Sequence, residues 1–355
     1  MSTRAVHTSR STSGARPSST GPSSTRPSST RPSSTRPSAG RRFLRAAAIA
    51  ATVPYLTLKT AWLAGSHIGI PDGSVLLEPG SAFFTVLNAL SLVMDSSVVL
   101  LVLVLTRPWG MRVPSWLLIS PVFIATGLLT PIVLGFPGQL LLRGMGLGPD
   151  EAARAAQPPF LDPWVFNVVY PGFIIQAIAL AGLFVPYARE RWGGCWQGVL
   201  GPVVPPDGVR GRFPSPTGVV AGAAAAVASV VATAHLYWAF GGTAGHNADQ
   251  IAQYSSDAGT VSFIHAVCAL TAAAGAVLLA RGGDRRAWWP LGMAWTGSAA
   301  TLCWGMWMMT AVVGGDPGPG ERTTTATYLI YAGQMIIGLL AAGVTARFLA
   351  TRRAA

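Results

Sequence analysis

Residues 83–106 read Phe-Phe-Thr-Val-Leu-Asn-Ala-Leu-Ser-Leu-Val-Met-Asp-Ser-Ser-Val-Val-Leu-Leu-Val-Leu-Val-Leu-Thr and stop at Arg107. One charge, Asp95, interrupts this run. At ~1.5 Å per residue, a helix this long crosses a hydrocarbon core of ~30 Å. Working outward, seven more stretches reach the ~20 apolar residues that a span needs: 44–66, 114–136, 164–187, 216–240, 259–280, 287–312 and 325–348. The first is interrupted by Pro54 and Lys59. The fifth is alanine-rich from Ala221 to Ala226, with Gly218 and Gly222 at a spacing suited to close helix packing. The expected fold is all-α, a polytopic membrane protein of about eight transmembrane helices.

Composition and charge agree. Half of the 355 residues are apolar and 11% are charged, against about a quarter in soluble domains. Three cysteines exclude a disulfide scaffold. The net charge of +12 comes from 24 arginines and one lysine, Lys59, against 13 carboxylates. These arginines are not gathered on a soluble face, which excludes nucleic acid as a partner. They alternate with the spans instead. With the N-terminus inside, 21 arginines are cytoplasmic and only Arg143, Arg154 and Arg322 are external, while nine carboxylates fall outside. The inner side carries +18 and the outer side −6, so the positive-inside rule places both termini in the cytoplasm of a multi-pass plasma-membrane protein.

The organisation expected is a Pro/Ser/Thr-rich basic tail (1–42), a first four-helix repeat (43–187), a cytoplasmic linker (188–215) and a second four-helix repeat (216–355). From Arg16 the tail repeats RPSST, GPSST, RPSST, RPSST, RPSAG, with nothing to bury, and is expected to be disordered. A solvated extension or a misassigned start is preferred for it over a basic segment that touches anionic lipid. Arg41-Arg42-Phe43-Leu44 lacks the spacing residue of a twin-arginine signal.

The two repeats rest on matched segments. Thr57, Trp62, Gly65 and Gly69 recur with identical spacing as Thr233, Trp238, Gly241 and Gly245, and the same offset sets Lys59 on His235. Tyr170 and Gly182 likewise recur with their spacing kept as Tyr331 and Gly343. Each half crosses an even number of times, so the halves share one orientation, as in parallel-repeat transporters.

Ionisable groups inside spans are functional candidates. Lys59 lies ~10 Å from the outer end of the first run and Asp95 ~16 Å from that of the second, from the helix rise. Their side chains lean toward each other's depth, which allows an ion pair. A buried pair that merely fixes helix register is the alternative. His235 and His265 occupy similar depths in the second half. They suit a proton relay or a bis-imidazole haem, but haem is disfavoured because the eighth run offers no histidine and no Cys-x-x-Cys-His occurs. Histidines hydrogen-bonded between packed helices are preferred, and no cofactor is expected. Gln176 and Gln334 are candidates for a polar path or for joining helices. His67 and His246, beside Asp72 and Asp249, match no metal spacing, so no metal site is expected. Leu140-Leu141-Leu142, followed by Asp150-Glu151-Ala-Ala-Arg154, suggests a dip into the interface and then a short helix capped by Asp150.

The segment Pro54-Tyr55-Leu56-Thr57-Leu58-Lys59-Thr60-Ala61-Trp62, continuing to Gly65 and Gly69, resembles a group of uncharacterised polytopic membrane proteins of actinobacteria. The resemblance covers most of 43–350 and leaves out the tail. It implies lineage and membrane topology but no chemistry. The residues themselves support a small-solute or ion carrier whose polar site is Lys59, Asp95, His235, His265, Gln176 and Gln334. The alternative is a non-transporting scaffold or sensor for an envelope partner of unknown identity. An enzyme is disfavoured, because no nucleophile–base or metal constellation is present.

Overall fold

The computed structural model describes residues 38–77, 82–149, 160–201, 215–314 and 322–354. The chain divides into residues 1–37, which lie outside that set together with the tail repeat, and a unit from Ser38 to Ala355. The helices are α1 (Ala39–Leu63), α2 (Ala82–Thr106), α3 (Ser115–Gly144), α4 (Pro163–Trp196), α5 (Pro216–Ala239), the short α6 (Ala248–Ala252), α7 (Ser256–Arg281), α8 (Trp288–Gly314) and α9 (Thr325–Ala354). Two short antiparallel strands, β1 (Val199–Gly201) and β2 (Gly283–Arg286), pair Val199 with Arg286 and Gly201 with Gly283.

Six helices hold stretches long and apolar enough to cross a bilayer: Asn88–Thr106, Ser115–Gly144, Pro163–Trp196, Pro216–Ala239, Ser256–Arg281 and Thr325–Arg353. α1 falls short because Pro54, Tyr55, Lys59, Trp62 and its threonines lower its mean hydropathy, and α8 because tryptophan and glycine do the same. Val93, Leu100, Ile178, Val230 and Leu339 are exposed on the outward faces, as a hydrocarbon surrounding requires.

Local chemistry moves several expected boundaries. α1 starts at Ala39 rather than 43, because the Ser38 hydroxyl accepts from Arg41 N (3.3 Å) as an N-cap. Inward of that, Arg41 Nη2 donates to Leu105 O (2.7 Å), satisfying a carbonyl of the last turn of α2. The leucines 140–142 are helical. They form the last turns of α3, which continues through Pro137 to Gly144. Asp150, Glu151 and Arg154 lie outside the described residues. The linker 188–215 is helical to Trp196, with a break at Trp192 (φ −132°, ψ 16°). The packing face of α5 is also not the expected one. Ala221, Ala224, Ala228, Val231, Ala232, His235 and Trp238 are buried, whereas Gly222 is exposed and a Cβ there would meet nothing within 4 Å.

The helices of the second half form a closed ring in which α5 packs on α7, α7 on α8, α8 on α9 and α9 on α5. Its core is mostly alanine, with Trp238 and Ile337. Small residues let the backbones approach. A Cβ on Gly275 would lie 2.3 Å from Ala294 N, and one on Gly297 2.3 Å from Ala272 N. In the first half α1 packs on α2 and α4, but α2 and α3 barely touch. α3 leans instead on α8. Gly127 sits where a Cβ would come within 2.3 Å of Ala299 O. Phe123 meets Trp295 edge to face (5.1 Å), and Trp304 Nε1 donates to Leu128 O (3.1 Å). The first half therefore holds two separate apolar clusters, one around Val102, Leu105 and Leu118, the other around Leu58, Trp62 and Val165.

Candidate functional site

The gap left by α3 is a partly open cavity of about 440 Å³, lined by α1 to α4 and by Trp304 and Trp307 of α8. Its walls are largely apolar, with Lys59, Ser91, Asp95, Ser97 and Gln176 among the lining residues. Lys59 Nζ donates to Asn88 Oδ1 (2.6 Å) and lies over the rings of Tyr55 (5.1 Å) and Trp62 (4.8 Å). The expected Lys59–Asp95 ion pair does not form, since Arg143–Asp257 is the only ion pair among the described residues. Asn88 is two helical turns N-terminal to Asp95, hence ~10 Å along α2 and nearer the helix start. The lysine reaches toward that end rather than toward the carboxylate, carrying its ammonium away from the apolar interior.

Asp95, 7% exposed, is held by Gln176 of α4. Gln176 Nε2 donates to Asp95 Oδ1 at 3.3 Å. Asp95 Oδ2 and Gln176 Oε1 are buried without a hydrogen-bond partner. Buried acceptors are rarely left unpaired, because each forfeits its hydration for nothing. Two such atoms beside a cavity call for a donor that the described residues do not supply.

The second half gathers its candidates differently. Gln334 Nε2 of α9 lies 3.0 Å from His235 Nε2 of α5, while His235 Nδ1 and Gln334 Oε1 are buried without a partner among the described residues. The His235 ring stacks on His265 of α7 (5.3 Å, 27°) and meets Trp238 edge to face (5.4 Å). His265 in turn contacts Trp304 (5.7 Å). Trp304 thus separates the stacked imidazoles from the cavity. The six expected residues form two clusters on either side of one tryptophan, not one pathway. Among the described residues no group of three His, Cys, Asp or Glu side chains gathers as a metal site would require.

The residues matched between the halves sit in corresponding turns. Trp62 Nε1 donates to Ile68 O (2.8 Å), and its counterpart Trp238 Nε1 donates to Ala244 O (2.9 Å), the carbonyl at the equivalent position. Gly65 and Gly241 have φ of 86° and 84°, and Gly69 and Gly245 of 75° and 87°, a region that L side chains avoid. Ser66 N donates to Ala61 O (2.8 Å) as Gly242 N does to Tyr237 O (2.9 Å). Each turn is then tied to the start of the half's last helix. Gly69 O accepts from Asp162 N (2.9 Å), and Gly245 O accepts from the hydroxyls of Thr324 and Thr327. Tyr170 packs edge to face on Phe136 (5.1 Å) at the cavity wall, whereas Tyr331 offers its carbonyl against Gly305.

Sequence reasoning missed Asn88, Ser91, Trp304 and Trp307 as site residues. Asn88 and Ser91 had a readable signal, since they precede Asp95 by seven and four residues on one helical face. Comparison with known proteins adds no name to this geometry: no protein-family model, no curated protein and no solved structure matches the chain.

Proposed function

We propose that the chain is a plasma-membrane carrier for a small solute, built as two parallel four-helix repeats in eight spans with both termini cytoplasmic. The solute site is the first-half cavity. The observation that carries this reading is the pair of buried, unpartnered acceptors, Asp95 Oδ2 and Gln176 Oε1, on residues that line a largely apolar space. A volume of about 440 Å³ lies in the range of small-ligand sites. The solute that fits has a compact apolar body and at least one N–H or O–H group directed at Asp95. Lys59 also lines the space, two helical turns from Asp95 and bonded to Asn88. The repeat arrangement draws support from the two matched turns, the orientation from the arginine distribution, and the actinobacterial kinship from the Pro54–Trp62 segment.

The second half favours the other role considered for these polar groups. His235, His265 and Gln334 contact one another in an alanine-rich packed core, and there they serve packing. Gentle purification and mass spectrometry of the small molecules released on denaturation test the carrier reading. Wild-type protein is expected to release a donor-bearing solute that Asp95→Leu/Gln176→Leu protein lacks. Uptake of that solute into proteoliposomes is expected to disappear in Lys59→Leu/Asp95→Leu protein. Identical released molecules from wild type and variant, or full retained uptake, would overturn the reading.

A further inference from the structure

A second and larger space opens between the halves. It is a cleft of about 1310 Å³ with α3 and α4 on one side and α8 and the end of α9 on the other. Along α3 it runs from Ile119 to Leu134, which at the helix rise is roughly 22 Å. That exceeds the ~15 Å depth of one bilayer leaflet, taken as half the ~30 Å hydrocarbon core. Its length is walled by aliphatic residues and by Phe184 and Trp295. Only one end is charged. There Arg189, Arg286 and Arg353 line the cleft, with Trp192, Trp196 and Trp288 beside them. No carboxylate is among the lining residues, and Glu190 and Asp284, the nearest in sequence, do not line it.

The three arginines differ from the structural arginines around them. Arg191 is spent on Tyr187 Oη (2.6 Å) and on the Gly110 and Val113 carbonyls, and Arg352 donates to Gln197 O (2.8 Å) and Val199 O. Both of these hold elements together. Arg189, Arg286 and Arg353 have no side-chain hydrogen bond or ion pair among the described residues, and Arg189 only lies over the Trp196 ring (5.8 Å). They come from α4, β2 and α9, three elements that the β1–β2 pairing and Arg352 bring to one end of the bundle.

We propose that this cleft binds an anionic phospholipid, its phosphate among Arg189, Arg286 and Arg353 and an acyl chain along the apolar wall. Guanidinium groups pair with phosphate oxygens through parallel N–H donors. Basic pockets between helices at the membrane surface take anionic headgroups for this reason. The tryptophans at the mouth sit where an interfacial belt would place them. The site joins the two halves and does not depend on the solute cavity.

The test uses the full chain in mild detergent, with dioleoylphosphatidylglycerol, dioleoylphosphatidylcholine and inorganic phosphate as probes, read by native mass spectrometry and thermal unfolding. Phosphatidylglycerol is expected to remain bound at about one lipid per chain, to raise the unfolding temperature, and to slow alkylation of Cys195, which lines the cleft while Cys268 and Cys303 are buried. Phosphatidylcholine and phosphate are expected to do none of these. The triple variant R189Q/R286Q/R353Q should weaken phosphatidylglycerol binding on the order of 100-fold, at roughly fivefold per arginine. Gly292→Phe is the second arm. A Cβ on Gly292, at the cleft wall, meets nothing within 4 Å, so the ring fills the groove with every arginine in place. It should abolish lipid retention without lowering the unfolding temperature of delipidated protein. Equal retention of both lipids would overturn the proposal, as would stabilisation by phosphate alone or undiminished binding by Gly292→Phe. A dimer that Gly292→Phe abolishes would assign the cleft to a second copy of the chain, with the same consequence.

Discussion

The two halves hold similar polar residues at similar places, yet one set surrounds a space and the other fills its own. In the second half α8 lies in the ring beside α7, with Gly275 and Gly297 letting the backbones meet, and His235 and His265 stack in the interior. In the first half α3 barely touches α2, packs onto α8 and leaves about 440 Å³ beside Asp95 and Gln176. Intramembrane polar residues are thus not sufficient evidence of a pathway. What separates the two clusters is whether the acceptors face a cavity. Asp95 Oδ2 and Gln176 Oε1 belong to residues lining one, whereas Gln334 Oε1 is unpartnered in a packed core.

The largest effects should come from closing the α7–α8 contact inside the second half, where Gly275 and Gly297 leave no room for a Cβ. Gly297→Ala places a methyl 2.3 Å from the Ala272 nitrogen, a clash that rotamer changes cannot relieve, and should cost about 3 kcal/mol. Gly172→Ala in the first half meets only Ala51 O at 3.1 Å, and a small shift of α1 accommodates it at about 1 kcal/mol or less. Thermal unfolding of both variants in one detergent decides the matter. Equal losses would mean that the halves are packed alike and that the cavity does not reflect looser assembly.

How much of this is legible in the sequence follows from the range of the interactions. The apolar runs are local, so the helices are evident, and so is the coincidence of Lys59 with His235. The departure of α3 is not. Its prolines at 121, 131 and 137 are visible, but their effect depends on Gly127 meeting Ala299 and on Trp304 reaching Leu128, contacts between residues in opposite halves of the chain. Asp95 is an evident candidate from its charge, while its partner is not the one that charge suggests. Gln176, distant in the sequence, holds it, and Lys59 turns to Asn88. The strands β1 and β2 are beyond reach, because three or four residues carry no alternation to detect.

A smaller effect tests whether the matched turns are equivalent in energy as well as in form. Trp62→Phe and Trp238→Phe each remove one N–H···O bond, to Ile68 O and to Ala244 O. Both should cost about 1 kcal/mol, the net worth of a typical intramolecular hydrogen bond. Unfolding temperatures that fall together would sharpen the correspondence between the halves. A loss confined to Trp238→Phe would break it and leave only a resemblance of shape.

The smallest expected effect lies at His246, which stands in the second-half turn where the first-half turn has Ile70. His246 follows Gly245 as Ile70 follows Gly69, and each closes its turn through a backbone bond, His246 N to Thr243 O (3.1 Å) and Ile70 N to His67 O (2.9 Å). The His246 ring stacks on Trp238 (4.5 Å, 25°), and burial there holds its pKa below the ordinary 6.5. The unfolded chain therefore binds the proton more readily than the folded one. Stability from this stacking is complete above pH 6.5 and declines as the pH falls below it. The first-half turn has Ile70, which does not titrate, in that place. His246→Ile should consequently flatten the pH profile of unfolding between neutrality and mild acid while leaving the neutral unfolding temperature nearly unchanged. Thermal unfolding of wild type and variant across that interval is the measurement. An unaltered slope in the variant would place the acid sensitivity elsewhere and remove His246 as the point at which the two turns part.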